Sequence, residues 1–238
     1  SLGGGTLTKT EDCPSNVFCT MNSLTASSYS TLSKGNTETK GASGADNGNV
    51  ISTFAPNSGK WYCESLVQTA VPTAYPSVGL GQVSDANFGT VLNSTVGMVG
   101  YNSAQSGFLR PDGRKYSNNT EASWTSTTFG TNDILMFALD CDNGAFYIGK
   151  NGTWINSGNP NSGSSKTNAF LTWTPANEQG QAFASRDYNN SVLQWNFGNG
   201  FFGTTAVSSA GTNASGIGIF EYDVPSGYTA LSTKGLNL

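Results

Sequence analysis

The apolar residues of this chain occur in short runs rich in β-branched and aromatic residues, which are separated by Gly, Asn, Ser and Asp. No stretch of 12 residues has apolar residues at the i, i+3, i+4 and i+7 positions of an amphipathic helix. Short runs bounded by turn-forming residues are typical of β-strands. The pattern predicts about a dozen strands, too many for a small barrel and suited to two packed sheets. The predicted strands are Asn16–Met21, Ser30–Ser33, Val50–Ala55, Lys60–Val67, Ser77–Val83, Thr95–Tyr101, Asp133–Asp140, Ala145–Lys150, Thr153–Ile155, Ala169–Thr174, Ser191–Phe197 and Gly218–Tyr222.

The composition is polar without being highly charged, because 36% of the 238 residues are hydrophobic and only 11% are charged. Disordered chains combine low hydrophobicity with high net charge, so this composition indicates a folded chain. The 13 Phe, 9 Tyr and 5 Trp residues supply large apolar side chains for a packed β structure. We predict a single domain over residues 13–238, preceded by a Gly-rich linker or N-terminal arm over residues 1–12.

The net charge of −4 and the absence of His exclude several classes of function. An acidic chain does not neutralise a phosphate backbone, so we expect neither nucleic acid nor an anionic membrane surface as a partner. No apolar run approaches the roughly 18 residues of a membrane-spanning helix, so membrane insertion is not expected. Without His, the chain can build neither a Ser-His-Asp nor a Cys-His nucleophile, nor a His-ligated zinc site.

The four cysteines match no zinc-binding spacing. Cys63 and Cys141 lie in apolar, strand-like runs, where Cys behaves as a small buried hydrophobic residue. Cys13 and Cys19 can form a disulfide if the segment turns back on itself, and the sequence leaves this pairing open.

Three predicted strands and two tight turns make up residues 132–158, NDILMFALDCDNGAFYIGKNGTWINSG. Asn143-Gly144 and Asn151-Gly152 tolerate the positive φ of such turns, and Asn151-Gly152 suits type I′. The alternative interpretation is a metal site at Asp140 and Asp142. A calcium loop needs further oxygen ligands and a closing Glu, which do not follow here. We therefore predict turns and no metal site.

Five motifs occur in the order that is typical of a known family of β-sandwich domains. They are SGKWYCESLV (Ser58–Val67), VGLG (Val78–Gly81), YNSAQSGFLRPDGRKYSNNT (Tyr101–Thr120), NDILMFALDCDNGAFYIGKNGTW (Asn132–Trp154) and LQWNFGNGFF (Leu193–Phe202). The series resembles the SPRY domain over a motif core of residues 58–202. The resemblance implies an all-β fold, a bent β-sandwich of two antiparallel sheets with a concanavalin-like jelly-roll outline. It also implies binding through loops at one end, usually to protein, with no catalysis and no cofactor.

The flanking segments extend the resemblance. EDCPSNVFCTMNSL (Glu11–Leu24) and VPSGYTALSTKGLNL (Val224–Leu238) are similar to the segments that bracket SPRY domains in long virion proteins of tailed phages, particularly marine ones. Lys234-Gly235-Leu236 departs slightly from the Lys-Asn-Leu that is usual there. The resemblance implies a location on the surface of a virion.

Candidate ligand-contact residues lie in predicted loops. Tyr75, Trp124, Trp154 and Tyr188 are surrounded by Asn, Ser and Gly, a setting in which exposed rings bind sugar or protein surfaces. The alternative is that these rings hold long loops against the sandwich. Arg110, in FLRPDGRKY, is either an anion contact or the flank of a Pro-Asp-Gly turn. The aromatic residues within strand motifs are predicted to form the core: Trp61, Tyr62, Phe137, Trp195 and Phe197.

These observations predict a non-catalytic adhesion or structural module of a tailed-phage virion, in a fibre, spike or head-decoration protein. Its expected partners are other virion proteins, a host surface protein or a glycan. We expect many copies per particle, as a homo-oligomer, because repetition strengthens weak single contacts. A purely structural cement protein of the capsid or tail is the alternative. A carbohydrate-active enzyme is disfavoured, because glycosidases of this kind need paired carboxylates and no second Glu follows Glu221-Tyr222-Asp223.

Overall fold

A computed structural model of the chain describes residues 13–44, 48–70, 76–82, 106–175 and 180–237, whose regular secondary structure is almost entirely β-strand. The strands are β1 (Ser30–Ser33), β2 (Glu38–Gly41), β3 (Gly48–Ile51), β4 (Lys60–Thr69), β5 (Ser77–Gln82), β6 (Gly107–Leu109), β7 (Arg114–Ser117), β8 (Thr120–Ser123), β9 (Ile134–Asp140), β10 (Ala145–Lys150), β11 (Thr153–Trp154), β12 (Leu171–Thr172), β13 (Gln181–Asp187), β14 (Val192–Asn196), β15 (Phe201–Phe202), β16 (Thr205–Ala206) and β17 (Thr229–Ala230). Short 3-10 turns occur at Ile155–Ser157, Pro160–Ser165 and Gly235–Asn237. Within these ranges, no helix has the length and hydropathy needed to span a membrane.

The strands form two packed sheets, as the sequence predicts. The larger sheet has the order β1-β2-β14-β4-β9-β10-β11, with β12 beside β10 and β17 beside β4. The smaller sheet has the order β3-β13-β5-β6-β7-β8, and β15 and β16 form a separate hairpin. Among the strands of the described ranges, all neighbours are antiparallel except β17, which runs parallel to β4. The predicted all-β sandwich of antiparallel sheets is therefore confirmed, with this one parallel addition.

Aromatic side chains fill the space between the sheets. Phe183 of the smaller sheet lies 6.3 Å from Phe137 and 6.2 Å from Phe146 of the larger sheet, between ring centroids. Trp195 stacks on Phe137 at 5.4 Å, and also on Phe197 at 5.7 Å. The predicted core residues Trp61, Tyr62, Phe137, Trp195 and Phe197 are all buried, which confirms their assignment.

The larger sheet is covered on its second face as well. Successive residues of a strand point to opposite faces. Tyr62 and Glu64 therefore point away from the smaller sheet, since their neighbour Cys63 pairs with the inward-facing Phe137. The ring of Phe220 covers Tyr62 edge-on at 4.9 Å. This third layer explains why β9, which lies between β4 and β10, is apolar along nearly its whole length.

Most predicted strands are present with small changes at their ends, and Ser30–Ser33 and Ala145–Lys150 have the predicted bounds. Thr95–Tyr101 lies outside the described residues. Two predictions are wrong. Asn16–Met21 makes only isolated bridges, because its residues pair alternately with Ser232 and Ser52.

The second wrong prediction is the strand at Gly218–Tyr222. The backbone N–H groups of Glu221 and Tyr222 donate to the carboxylate of Glu64, at 2.8 and 2.9 Å, and this side chain takes the place of a neighbouring strand. The predicted strands do not include β13, in which only Phe183 belongs to the β-branched and aromatic types that are enriched in strands. Tertiary packing places this strand inside the smaller sheet regardless.

Asp140 and Asp142 support the turn that joins β9 to β10, as the turn interpretation predicts. Asp140 accepts hydrogen bonds from the backbone N–H and the side-chain amide of Asn143, and it pairs with Lys60 at 3.0 Å. Asp142 accepts a hydrogen bond from the N–H of Gly59 at 2.7 Å. Both carboxylates are therefore engaged in holding the chain itself.

The predicted burial of Cys63 and Cys141 is confirmed. No disulfide joins the described cysteines. Cys13 lies at the surface, whereas Cys19 is buried with its Sγ 3.3 Å from the hydroxyl of Thr53. Burial raises the pKa of the Cys19 thiol.

Candidate functional site

The candidate site is built on the turn that joins β10 to β11. Asn151 and Gly152 have φ values of 48° and 84°, the two positive angles that a type I′ turn requires, which confirms the predicted turn. Lys150 and Thr153 pair on either side of it. The turn lies at one lateral edge of the larger sheet, because β11 is the outermost strand on the side beyond β10.

Asp133 holds this turn in one conformation. Its carboxylate accepts hydrogen bonds from the side-chain amide of Asn151 at 2.7 Å and from the N–H of Gly130 at 2.8 Å. The ammonium group of Lys150 lies 3.4 Å from the same carboxylate. The side-chain oxygen of Asn151 in turn accepts from the N–H of Ile134 at 2.8 Å. The turn is thus fixed by its own side chains.

The opposite wall of the site is the segment Thr125–Thr127. The carbonyl of Gly113 accepts hydrogen bonds from the N–H groups of Trp124 and Thr125, both at 3.1 Å. Gly113 has a φ of 83°, and a Cβ added there would lie 2.2 Å from the carbonyl oxygen of Thr125. Only glycine therefore allows the turn at residues 111–113 to support this segment so closely.

The ring of Trp124 holds this wall against the sandwich. It packs edge-on against Phe170, with 4.9 Å between the ring centroids. The ammonium group of Lys115 also lies over the Phe170 ring, 5.0 Å from its centroid. It donates a hydrogen bond to the Phe170 carbonyl at 2.6 Å. Burial lowers the pKa of the Lys115 ammonium group. Trp124 thus matches the alternative interpretation, an aromatic ring that holds a loop in place.

The two walls meet at Asn156. Its side-chain amide donates to the carbonyl of Trp124 at 2.9 Å. Asn156 and Ser157 both have left-handed backbones, with φ values of 55° and 57°. Asn adopts this conformation more readily than most residues other than glycine, whereas Ser adopts it rarely.

A cleft of about 540 Å³ opens between the two walls. It is lined by Thr125, Ser126, Thr127, Lys150, Asn151, Thr153, Trp154, Ile155, Asn156 and Ser157. Trp154 is half-buried, and an edge of its ring lies over Gly149, where an added Cβ would be 3.2 Å from the ring. The lining thus combines one aromatic ring with many neutral hydroxyl and amide groups.

Three of the five predicted site residues lie at this edge of the sandwich. Trp154 lines the cleft, and Trp124 anchors its second wall. Arg110 lies behind that wall, and its carbonyl accepts a hydrogen bond from the N–H of Gly113 at 3.0 Å. Its guanidinium group pairs with Glu121 at 2.7 Å and with Asp112 at 3.4 Å. These pairs favour the interpretation of Arg110 as part of a turn.

Tyr188 lies at the opposite edge of the sandwich. It follows β13 directly, and an added Cβ on Gly41 of β2 would approach its backbone to 2.9 Å. In the larger sheet, β2 lies near the edge opposite β11. In the smaller sheet, β3 lies at the edge opposite β8. Tyr188 therefore does not share a site with Trp154. Tyr75 lies outside the described residues.

Several lining residues carry no strong sequence signal. Thr125–Thr127, Thr153, Asn156 and Ser157 are common residue types in a chain rich in Asn, Ser and Thr. The usable signals were the Asn-Gly turn followed by Trp154, and the dense Ser and Thr run after Trp124. Asp133 was placed in a strand, and its role as the anchor of the turn depends on tertiary contacts.

A larger groove, of about 720 Å³, lies where residues 56–61 meet residues 227–229 and 235–236. Several of its polar groups are engaged within the protein. Lys60 pairs with Asp140, and the indole N–H of Trp61 donates to the carbonyl of Ser58 at 2.8 Å. We interpret this groove as a packing feature of the strand ends, and the smaller cleft as the candidate site.

Comparison with solved structures identifies similar folds. The SPRY domain of human HERC1 matches with a TM-score of 0.54 and 13% sequence identity, over 74% of this chain and 96% of that chain. Stonustoxin matches with a TM-score of 0.51 and 18% identity, over 75% of this chain but only 27% of the stonustoxin chain. No protein-family profile matches the sequence. No curated protein matches it either.

Proposed function

Starting from a chain with the fold of SPRY domains, we propose that this protein is a non-catalytic binding module of a tailed-phage virion. It belongs to a fibre, spike or head-decoration protein and contacts the host surface or neighbouring virion proteins through its loops. The observation that carries the proposal is the cleft between Thr125–Thr127 and the Asn151–Ser157 segment. A rigid sandwich that presents preformed loops at one edge is suited to recognition.

The assignment to a virion draws on the flanking segments. Glu11–Leu24 and Val224–Leu238 resemble the segments around SPRY domains in phage virion proteins. The described parts of these flanks, residues 13–24 and 224–237, belong to the fold, because Phe18 bridges to Ser232 and the N–H of Cys19 donates to the carbonyl of Leu231 at 2.9 Å.

The cleft supports binding without catalysis. No carboxylate lines the cleft within the described residues, and the carboxylate of Asp133, which contacts the lining residues Asn151 and Lys150, is also engaged by Gly130. The chain contains no His to serve as a base. A single small cleft gives weak binding, so many copies on one particle would provide the overall strength.

Immunogold labelling of purified phage particles that encode this chain tests the proposal. We expect label on fibres, on the tail tip or on the head surface. Label on fibres or the tail tip supports host recognition. Label spread over the head, with the cleft inaccessible to a probe antibody, favours the cement role. Particles that carry no label would contradict the virion assignment altogether.

A turnover assay tests the non-catalytic part. Incubation of the chain with host polysaccharide is expected to leave the polymer length unchanged, measured by size-exclusion chromatography. A fall in polymer length that follows the purified protein through a sizing column would establish an enzyme instead.

A further inference from the structure

The charge of the cleft selects its ligand. Lys150 is the only charged residue in the lining, and its ammonium group is engaged by Asp133 at 3.4 Å and by the carbonyl of Thr128 at 2.8 Å. An anionic ligand would have to compete with both of these partners. A cationic ligand would find no carboxylate among the lining residues, which all belong to the described ranges. The cleft is therefore suited to an uncharged ligand.

The hydrogen-bonding groups of the cleft narrow the choice further. Within the described part of the chain, the hydroxyl groups of Ser126, Thr127, Thr153 and Ser157 make no hydrogen bond to the protein. The amide of Asn156 uses its N–H for Trp124 and keeps its oxygen available. Hydroxyl groups both donate and accept, so they match a ligand whose own groups also do both. Sugar hydroxyls are groups of this kind.

The geometry of the cleft disfavours a peptide as ligand. Peptides often bind by adding a strand to a sheet edge, which needs a run of unpaired backbone groups. The strand beside the cleft is Thr153–Trp154, only two residues long, and the chain turns away directly after it at Ile155–Ser157. The volume of about 540 Å³ lies within the range of roughly 300–1,000 Å³ that is typical of small-molecule sites.

Trp154 supplies the remaining feature. Its half-buried ring lines the cleft among these hydroxyl groups. An aromatic face offers rigid apolar area, on which the C–H face of a sugar ring can lie while the sugar hydroxyls reach the surrounding polar groups. Because Asp133 and the Asn156 amide fix the walls, little order has to be gained on binding.

We propose that the cleft between Thr125–Thr127 and Asn151–Ser157 binds a neutral saccharide, with Trp154 as the stacking surface and Thr153, Asn156 and Ser157 as hydrogen-bonding partners. This inference rests on the proposed binding function and names its ligand class. The ligand is a short, uncharged segment of a glycan chain. Its source in the virion proposal is the polysaccharide coat of the host.

The direct test uses the full chain, biotinylated and tetramerised on streptavidin, against an array of neutral, sulfated and uronic-acid oligosaccharides. We expect binding to one or more neutral sugars, unchanged in about 0.5 M NaCl, because salt screens only charge interactions. Binding confined to the anionic sugars, or absent from the whole array, would overturn the inference.

Variants locate the binding in the cleft. Trp154→Ala is expected to weaken the signal at least tenfold, and Thr153→Val about fivefold, the loss of one hydrogen bond. Thr153 is exposed, so Thr153→Val preserves the fold even if Trp154→Ala does not. Tyr188→Ala, at the opposite edge, is the matched control and is expected to bind as the unchanged chain does. Equal losses in all three variants would contradict the assignment.

Treated cells separate this inference from the proposed function. Periodate cleaves the vicinal diols of sugars, and protease removes surface proteins. If the chain binds host cells and periodate abolishes the binding, the saccharide assignment is supported. If only protease abolishes it, host adhesion stands and the saccharide assignment falls. If particles carry no label but the neutral sugars bind, the virion role falls and the saccharide site stands.

Discussion

At the scale of single residues, Asp187 shows how the partners of a buried carboxylate determine what can replace it. The side chain is fully buried and accepts hydrogen bonds from the hydroxyls of Thr39, Ser185 and Ser30, at 3.1, 3.2 and 3.4 Å. Burial raises its pKa from 3.8 to about 7, against the lowering effect of these hydrogen bonds. Because a hydroxyl can turn and accept, this pocket suits a neutral side chain as well as a carboxylate.

We expect the free energy of unfolding to fall between about pH 4 and pH 7, and Asp187→Asn to reduce this decline. Over that window the unfolded chain releases the Asp187 proton while the folded chain keeps it, so rising pH favours unfolding. The raised pKa of Asp187 corresponds to a loss on the order of 4 kcal/mol, complete above about pH 7. Urea unfolding of both proteins at about pH 4.5 and pH 8 measures it. If the free energy of unfolding falls by the same amount between these pH values in Asp187→Asn, Asp187 is not the source of the decline.

Glu64 is buried in the same way, but two of its partners are backbone N–H groups, which cannot turn to accept a hydrogen bond. It accepts hydrogen bonds from the Tyr62 hydroxyl and from the backbone N–H groups of Glu221 and Tyr222. Burial raises the pKa of Glu64 to about 7, so it adds a pH dependence of the same sign as Asp187. A backbone N–H can only donate, so an amide at this position turns its own N–H groups towards another donor.

We therefore expect Glu64→Gln to destabilise the protein by about 1–3 kcal/mol at neutral pH, the cost of a buried donor left without an acceptor. Asp187→Asn is the matched control, and it is expected to be tolerated better. Hydrogen exchange at the amides of Glu221 and Tyr222 should accelerate in Glu64→Gln and stay unchanged in Asp187→Asn. Equal stability of the two variants would refute the distinction between hydroxyl and backbone partners.

At the scale of elements, the strands and the tight turns follow from neighbouring residues. The hairpin of β9 and β10 and the Asn151-Gly152 turn occur where the residue pattern predicts them. The failures are equally informative. The segment Gly218–Tyr222 is not a strand because Glu64 engages its N–H groups, and β13 is a strand although Phe183 is its only residue of a type enriched in strands.

Gly113 tests how one element supports another. We expect Gly113→Ala to displace the segment Thr125–Thr127, because the added Cβ would lie 2.2 Å from the Thr125 carbonyl oxygen. The predicted result is a destabilisation on the order of 1–3 kcal/mol and weaker saccharide binding in the cleft. Thermal unfolding and saccharide binding measure the two effects.

Gly35→Ala is the control for Gly113→Ala. Gly35 has a positive φ of 67°, and an added Cβ would meet nothing within 4 Å. This variant carries the backbone strain without the collision, so it should lose some stability and keep its binding. If Gly35→Ala loses binding to the same extent, the displacement of Thr125–Thr127 is not the cause.

At the scale of the whole molecule, Phe183 joins the two sheets. Its ring contacts both Phe137 and Phe146 of the larger sheet. We expect Phe183→Ala to destabilise the protein by about 3–5 kcal/mol, through lost apolar burial and the cavity left behind. Denaturant unfolding followed by Trp fluorescence measures the change. A loss below about 1 kcal/mol would show that the sheets are held together elsewhere.

The sequence determined the local part of this protein, and the tertiary structure decided the rest. Turns at Asn-Gly pairs and strands of aromatic and β-branched residues depend on adjacent residues, so they can be predicted from the residue pattern. The cleft depends on contacts such as the hydrogen bond between Asn156 and Trp124, which are 32 residues apart. The layer that covers the larger sheet depends on the hydrogen bond between Glu64 and Glu221, which are 157 residues apart. In a chain rich in Ser, Thr and Asn, the residue type alone does not indicate which distant residue a given side chain contacts. Only the packing of the sheets places these side chains together, because it sets which distant loops share an edge.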